Sequence, residues 1–155
     1  MRKKTFNRLW MIRRLKPLGA TIDELIEVYQ TQIRCILEFA VAAWNSGLTK
    51  AQINQLECVQ KCALAIILQE DYVSYSYALS SVNLEYLQDR RHALCLKFAR
   101  KAQKHPKFSK WFCSNNQAGV DTRSDKKHLK PVQFRTCRFV KSPIAYLTRL
   151  LNENQ

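Results

Sequence analysis

The sequence predicts an all-α fold: three long helices and several short ones in a bundle, with a basic irregular segment before a C-terminal helix. Three observations carry this. Apolar residues recur at three- and four-residue spacing over three long stretches. The first two of those stretches open on capping-box pairs, Thr21 with Glu24 and Thr49 with Gln52. The short run 72–79 alternates Tyr and Ser as a strand would, yet no second run is available to pair with it.

In chain order, residues 5–15 form a short helix with Phe6, Leu9 and Trp10 on one face, stopped by Pro17-Leu18-Gly19. A long helix over 21–44 follows. It carries Leu25, Tyr29, Ile33, Ile36, Ala40 and Trp44 on its core face and Glu27, Arg34 and Glu38 opposite, and Asn45-Ser46-Gly47 closes it. The next helix, from 50 to about 69, has Leu48 and Ile53 as a hydrophobic staple. With Leu56, Val59, Ala63, Ile66 and Ile67 it is apolar around much of its circumference, so it is expected at the centre, antiparallel to its predecessor across the short Gly47 link. Ser74 is read as the cap of a short helix carrying Leu79.

Asn83 is expected to start the third long helix, which Pro106 stops. Glu85 and Asp89 sit near its beginning and Lys101, Lys104 and His105 at its end, as the helix dipole favours. Its apolar stripe is Leu84, Leu87, Leu94, Cys95, Phe98 and Ala102, with Arg91 on the same stripe and so expected to snorkel or meet a carboxylate. Arg90, Lys97, Lys101 and Lys104 make a second stripe about 100° around the axis. Residues 108–112 read as a helical turn, 114–131 as a basic loop or partly disordered arm, and 134–139 as extended. Ser142 caps a last helix with Pro143 in its first turn and Ile144, Leu147, Leu150 and Leu151 on its apolar face. The organisation is therefore a helical bundle over 1–112, a basic arm over 113–141 and a C-terminal helix over 142–155.

A chain of 155 residues fits one domain, and 46% hydrophobic residues argue against wholesale disorder. The net charge of +14 is clustered. Residues 1–18 hold seven Lys/Arg and no acid; residues 19–87 carry a net −5; residues 88–155 carry +12. A near-balanced middle between two basic ends points to a polyanionic partner. No apolar run is long enough to span a bilayer, so no membrane association is expected. No h-region follows the basic start, which argues against a secretory signal. Residues 1–18 are acid-free and amphipathic like an organellar presequence, but they are Ser-poor and continuous with the domain. The six cysteines include no C-x-x-C pair and read as reduced thiols of an intracellular protein, nuclear or cytoplasmic.

The sequence holds no G-x-S-x-G, no H-E-x-x-H and no Gly-rich phosphate loop, and His92, His105 and His128 lack an orienting acid. No catalytic residue, cofactor or small-molecule substrate is expected. Cys58 and Cys62 stand four apart on one helix, and His105, Cys113, His128 and Cys137 fit no standard zinc spacing, so incidental thiols are preferred to a metal site. The cations form the candidate site. Arg13, Arg14, Lys16, Arg90, Lys97, Lys101 and Lys104, with Arg135 and Arg138, are expected to contact nucleic-acid phosphates. Trp10 and Trp111 stand among cations where an exposed ring could stack on a base, but both are expected to be core anchors.

An ordered series of segments resembles a known family. It runs L-W-M-I-R-R-L-K-P-L-G (9–19), Q-I-R-C-I-L-E-F-A-V-A-A-W (32–44), G-L-T-K (47–50) and L-E-C-V-Q-K-C-A-L-A-I-I-L (56–68). It continues with D-Y-V-S-Y-S-Y-A-L (71–79), R-R-H-A-L-C-L-K-F-A (90–99), R-T-C-R-F-V-K-S-P (135–143) and Y-L-T-R-L-L-N (146–152). Together these resemble the C-terminal region of reverse transcriptases from animal non-LTR retrotransposons of the jockey-like and related LINE groups. The likeness covers nearly the whole chain, and its specificity lies in the order of the pieces. It implies an all-helical thumb-side and post-polymerase segment that helps hold template RNA and primer DNA, with the rest of such a polymerase as a further partner. The palm's paired aspartates have no counterpart: Asp71-Tyr72 lacks the second Asp and the hairpin. The upstream endonuclease is also missing. The resemblance therefore implies a truncated, non-catalytic fragment. The alternative is a protein-interaction module that docks its apolar helix faces on the missing palm or another partner, with no nucleic-acid binding of its own.

Overall fold

The computed structural model describes residues 2–112, 129–130, 133 and 136–154. Among them the fold is all-α, with no strand. One compact unit comprises Met1–Val41 and Leu48–Arg91; the other comprises Ala42–Gly47 and His92–Gln155.

In the first unit, α1 (Arg2–Leu15) buries Thr5, Leu9 and Ile12, one face at spacings of four and three. A single turn over Lys16–Leu18 ends it, and Gly19 at φ 89° takes the left-handed conformation that a side chain would disfavour. Thr21 then caps α2 (Ile22–Val28) with both halves of the predicted capping box: Glu24 N donates to Thr21 Oγ1 at 3.4 Å, and Thr21 N donates to Glu24 Oε2 at 2.8 Å. That backbone hydrogen bond holds the Glu24 carboxyl below its ordinary range.

The expected single helix over 21–44 is not what forms. After α2 the chain makes a π-helical segment, Tyr29–Arg34, and then α3 (Cys35–Glu38). Phe39 at ψ 125° and Ala40 at φ 51° break the run before α4 (Val41–Trp44). The buried residues explain the π segment. Leu25, Tyr29, Ile33 and Leu37 are buried, four apart throughout, with Ile26 beside the first of them and Val41 beyond the break. In an α-helix four residues turn through about 400°, so such a repeat drifts about 40° per step. Closing i→i+5 bonds takes up one extra residue and keeps the stripe on one face. Of the predicted core positions, Ala40 is exposed and Ile36 and Trp44 are only half-buried, while Leu37 and Val41 are buried.

The Thr49–Gln52 capping box opens α5 (Lys50–Leu68), whose Leu56, Val59, Ala63, Leu64, Ile67 and Leu68 are buried. As predicted it is the central helix of its unit: α1, α2 and α6 (Tyr75–Ser81) all pack on it. Its two buried polar residues join other elements. Gln60 accepts from the Tyr29 hydroxyl at 2.8 Å and donates to Glu85 O at 2.9 Å. Glu57 accepts from the Tyr75 hydroxyl at 2.6 Å and from Gln88 N at 2.8 Å. Ser74 caps α6 by accepting from Tyr77 N at 3.2 Å, and Ala78 and Leu79 pack with Leu64 and Leu68.

The third long helix, α7 (Leu87–Lys104), starts four residues later than expected. Asn83 at φ 51° occupies a left-handed turn, a conformation Asn tolerates better than most residues, and Leu84 N bonds back to Leu79 O at 2.9 Å. Glu57 then supplies a carboxylate at the amide end of α7. Arg91, at 1% exposure, does not snorkel; it is the largest fully buried side chain among the described residues.

In the second unit, α7 continues with Cys95, Ala99 and Ala102 buried, while Phe98, expected on that stripe, is 40% exposed. The predicted turn over 108–112 is a short 3-10 turn, Ser109–Trp111. Cys137–Val140 forms a helical turn, α8, where an extended run was expected. Ser142 caps α9 (Pro143–Glu153) by accepting from Ala145 N at 3.4 Å, and Ala145, Leu147, Thr148, Leu150 and Leu151 are buried. Asn152 holds Leu129 by a reciprocal pair, accepting from its N–H at 2.9 Å and donating to its carbonyl at 3.1 Å. Most of the predicted basic arm lies outside the described residues.

If the π segment absorbs one surplus residue, deleting the exposed Thr31 restores intervals of four, three and four between Leu25, Tyr29, Ile33 and Leu37. Chemical denaturation of that deletion should show a loss of no more than about 1 kcal/mol. A loss of about 2–5 kcal/mol, the cost of turning Leu37 out of the core, would contradict this account of the π segment.

Candidate nucleic-acid interface

The cations fall into two physical groups: those the fold uses and those it leaves on the surface. Lys16 belongs to the first. It is half-buried, and its ammonium donates to Ile66 O at 3.3 Å and to Ile67 O. It thus meets the carbonyl end of α5, where the peptide dipoles concentrate negative charge. Arg90 is in the same group. Its guanidinium pairs with Glu38 through Nε and, at 3.4 Å, Nη2, and Glu38 also holds Arg34 at 3.5 Å. Arg8, outside the predicted set, donates to Gln32 O at 2.9 Å.

The second group keeps its charge for solvent. On α1, Arg13 and Arg14 are exposed. At 100° per residue Lys3, Trp10 and Arg14 fall within about 40° of one another, on the side away from Leu9 and Ile12. Trp10, expected in the core, is 59% exposed. The amphipathic phase accounts for this: with Thr5, Leu9 and Ile12 on the core face, Trp10 points about 140° away from it.

On α7, Lys97, Lys101 and Lys104 are all exposed and lie within about 60° of arc. They sit about 160° from the buried stripe of Cys95, Ala99 and Ala102, rather than the expected 100° or so. Among the described residues neither they nor Arg13 and Arg14 make an ion pair. Arg100, Lys107 and Trp111 are exposed as well; Trp111, the second ring expected in the core, is 40% exposed while its neighbour Phe112 is buried. Arg135 lies outside the described residues, and Arg138 stands in α8.

The other chemistry in the first unit is committed to structure. A half-open cleft of about 350 Å³ is lined by Glu57, Lys61, Tyr75, Tyr86 and Asp89, among others. Both Glu57 oxygens accept hydrogen bonds there. Burial and the bond to Glu57 push the Tyr75 hydroxyl well above the usual phenol range, so it stays protonated. The Lys61 ammonium lies 4.9 Å from the Tyr75 ring centre. The Cys58 and Cys62 sulfurs stand 4.0 Å apart, and no group of three or more His, Cys, Asp or Glu among the described residues could hold a metal. No helix among them is long and apolar enough to cross a membrane.

No family model, curated protein or solved structure matches this chain. The site is therefore read from its own geometry.

Sequence spacing found the Lys97, Lys101 and Lys104 stripe because helix phase depends only on residue number. It missed the uses of Lys16 and Arg90, whose partners lie 51 and 52 residues away. It also misplaced both tryptophans, since apolar character alone does not say which face of a helix is covered.

The division predicts unequal effects for neighbouring cations. Lys16→Ala should lower unfolding stability by about 1 kcal/mol, because carbonyls at the end of α5 lose their cation. Arg14→Gln should change it by no more than about 0.5 kcal/mol. Equal losses in urea titrations would erase the distinction.

Proposed function

We propose that this chain is a non-catalytic nucleic-acid-binding segment that holds a phosphate backbone, such as a template–primer, on its exposed basic helix faces. The observation that carries the reading is the Lys97, Lys101 and Lys104 stripe: three exposed ammonium groups in a narrow arc, opposite the buried side of α7 and without ion pairs among the described residues. Arg13 and Arg14 on α1 add a second exposed group. Such cations bind phosphates by displacing condensed counterions and need no base contact. The ordered resemblance to the C-terminal region of jockey-like reverse transcriptases supports the same reading, with polymerisation carried out by a palm that has no counterpart in this sequence.

Leu18, Val73 and Phe39, at 80%, 79% and 71% exposure, favour a second reading, in which the helices dock on a protein partner such as the remainder of a polymerase. Self-association in sedimentation would support it, and a monomer across the accessible concentration range would count against it.

The first reading predicts that affinity for duplex DNA falls linearly in log–log plots between about 50 and 200 mM salt, with a slope of about −3 to −4, and depends little on sequence. Filter binding measures this directly. A flat salt dependence, or no binding at the lower salt, would remove the proposal.

A further inference from the structure

The segment after α7 arranges its aromatic residues in a way that phosphate binding alone does not require. Past Lys104 the backbone closes successive short turns: Phe108 N to His105 O at 3.0 Å, Trp111 N to Phe108 O at 3.0 Å, and Phe112 N to Ser109 O at 3.0 Å. Bonds of i→i+3 type bring residues three apart into register on one side. His105, Phe108 and Trp111 are three apart, and their rings pack against one another in a tilted row. The His105 and Phe108 centroids are 4.9 Å apart with planes at 34°, and those of Phe108 and Trp111 are 4.8 Å apart at 45°. Each ring directly follows a lysine, Lys104, Lys107 or Lys110, so the cations recur at the same three-residue spacing as the rings. Phe112 is buried and anchors the far end, while Trp111 remains 40% exposed as the terminal ring of the ladder.

An exposed indole that ends a preassembled row of packed rings is a surface on which one more flat ring can lie. The flanking lysines select an anionic chain to carry that ring. Duplex bases are stacked on both faces and cannot lie on it; unpaired bases can. We propose that residues 104–111 are a stacking platform for single-stranded nucleic acid, in which an unpaired base continues the His105–Phe108–Trp111 ladder by lying on Trp111 while Lys104 and Lys107 contact the adjoining phosphates. The inference rests on the phosphate-binding reading above and adds to it a preference for single strands located at one ring. Charge complementarity chooses the occupant: residues 97–111 hold Lys97, Arg100, Lys101, Lys104, Lys107 and Lys110 and no acid, which favours an anionic partner.

The test compares a twelve-nucleotide oligo-dT with a blunt duplex matched in phosphate content, using the full chain and Trp111→Ala and Trp111→Phe variants whose helicity is checked by circular dichroism. Trp111→Ala should weaken oligo-dT binding by about tenfold and leave duplex binding unchanged. Trp111→Phe, which keeps a ring, should fall between wild type and Trp111→Ala. Oligo-dT should also quench the tryptophan fluorescence of the wild type more than that of Trp111→Ala. If Trp111→Ala leaves oligo-dT affinity unaltered, or weakens both ligands equally, the platform is overturned while phosphate binding stands. If the unmodified chain binds neither ligand, both readings fall together.

Discussion

A buried carboxylate in a strongly cationic chain is the constraint on which the first unit depends. Glu57 lies in the middle of α5, 9% exposed, and a charged group so placed must find donors. It finds them on two other elements, the Tyr75 hydroxyl of α6 and the Gln88 amide in the first turn of α7. One side chain thereby fixes where two helices begin relative to the central one. Its neighbour Gln60 repeats the pattern, joining the π segment through Tyr29 to the approach of α7 through Glu85. Bonds to an ionised acceptor are each worth about 1.5–3 kcal/mol, and leaving one donor unmet costs about as much, so the start of α7 is held firmly. The helical phase that puts Leu87 and Arg91 inside follows from that start.

Where local rules decide structure, the sequence was readable. Both capping boxes, the Ser74 and Ser142 caps, the stop at Pro106 and the central position of α5 all follow from side chains within a few residues of where they act. The failures share a cause in long-range demand. The π segment exists because the buried surface requires a four-residue repeat that an α-helix cannot hold, and no residue within it announces the extra turn. Asp89 does stand in the first turn of α7, as the dipole favours, but the helix opens four residues after Asn83, and the carboxylate that meets the Gln88 amide comes from Glu57, 31 residues earlier.

The same division separates the cations. A lysine at the end of one helix and an arginine opposite a glutamate look, in sequence, like any other surface charge. Lys16 instead meets the last carbonyls of α5, Arg90 meets Glu38, and Arg91 is enclosed altogether. Lys16 and Arg90 satisfy groups the fold has already brought together. The remainder, above all Lys97, Lys101 and Lys104, are set by helix phase alone, which is why their grouping could be read from residue numbers. Trp10 and Trp111 were misread because the aromatic was assumed to be the anchor; in both stretches smaller or neighbouring residues, Leu9 with Ile12 and Phe112, take that part.

The proposed phosphate binding depends on where the charge stands rather than on its total. Two variants with equal loss of charge separate the two. One replaces Arg14, Lys97, Lys101 and Lys104 with Gln; the other replaces the exposed Lys50, Lys61, Lys130 and Arg149. Affinity for a single-stranded oligonucleotide, measured for both at one ionic strength, should fall at least about tenfold in the first and by less than about threefold in the second, since only the first loses phosphate contacts. Equal losses in the two would show that net charge alone attracts the polyanion and would contradict the account.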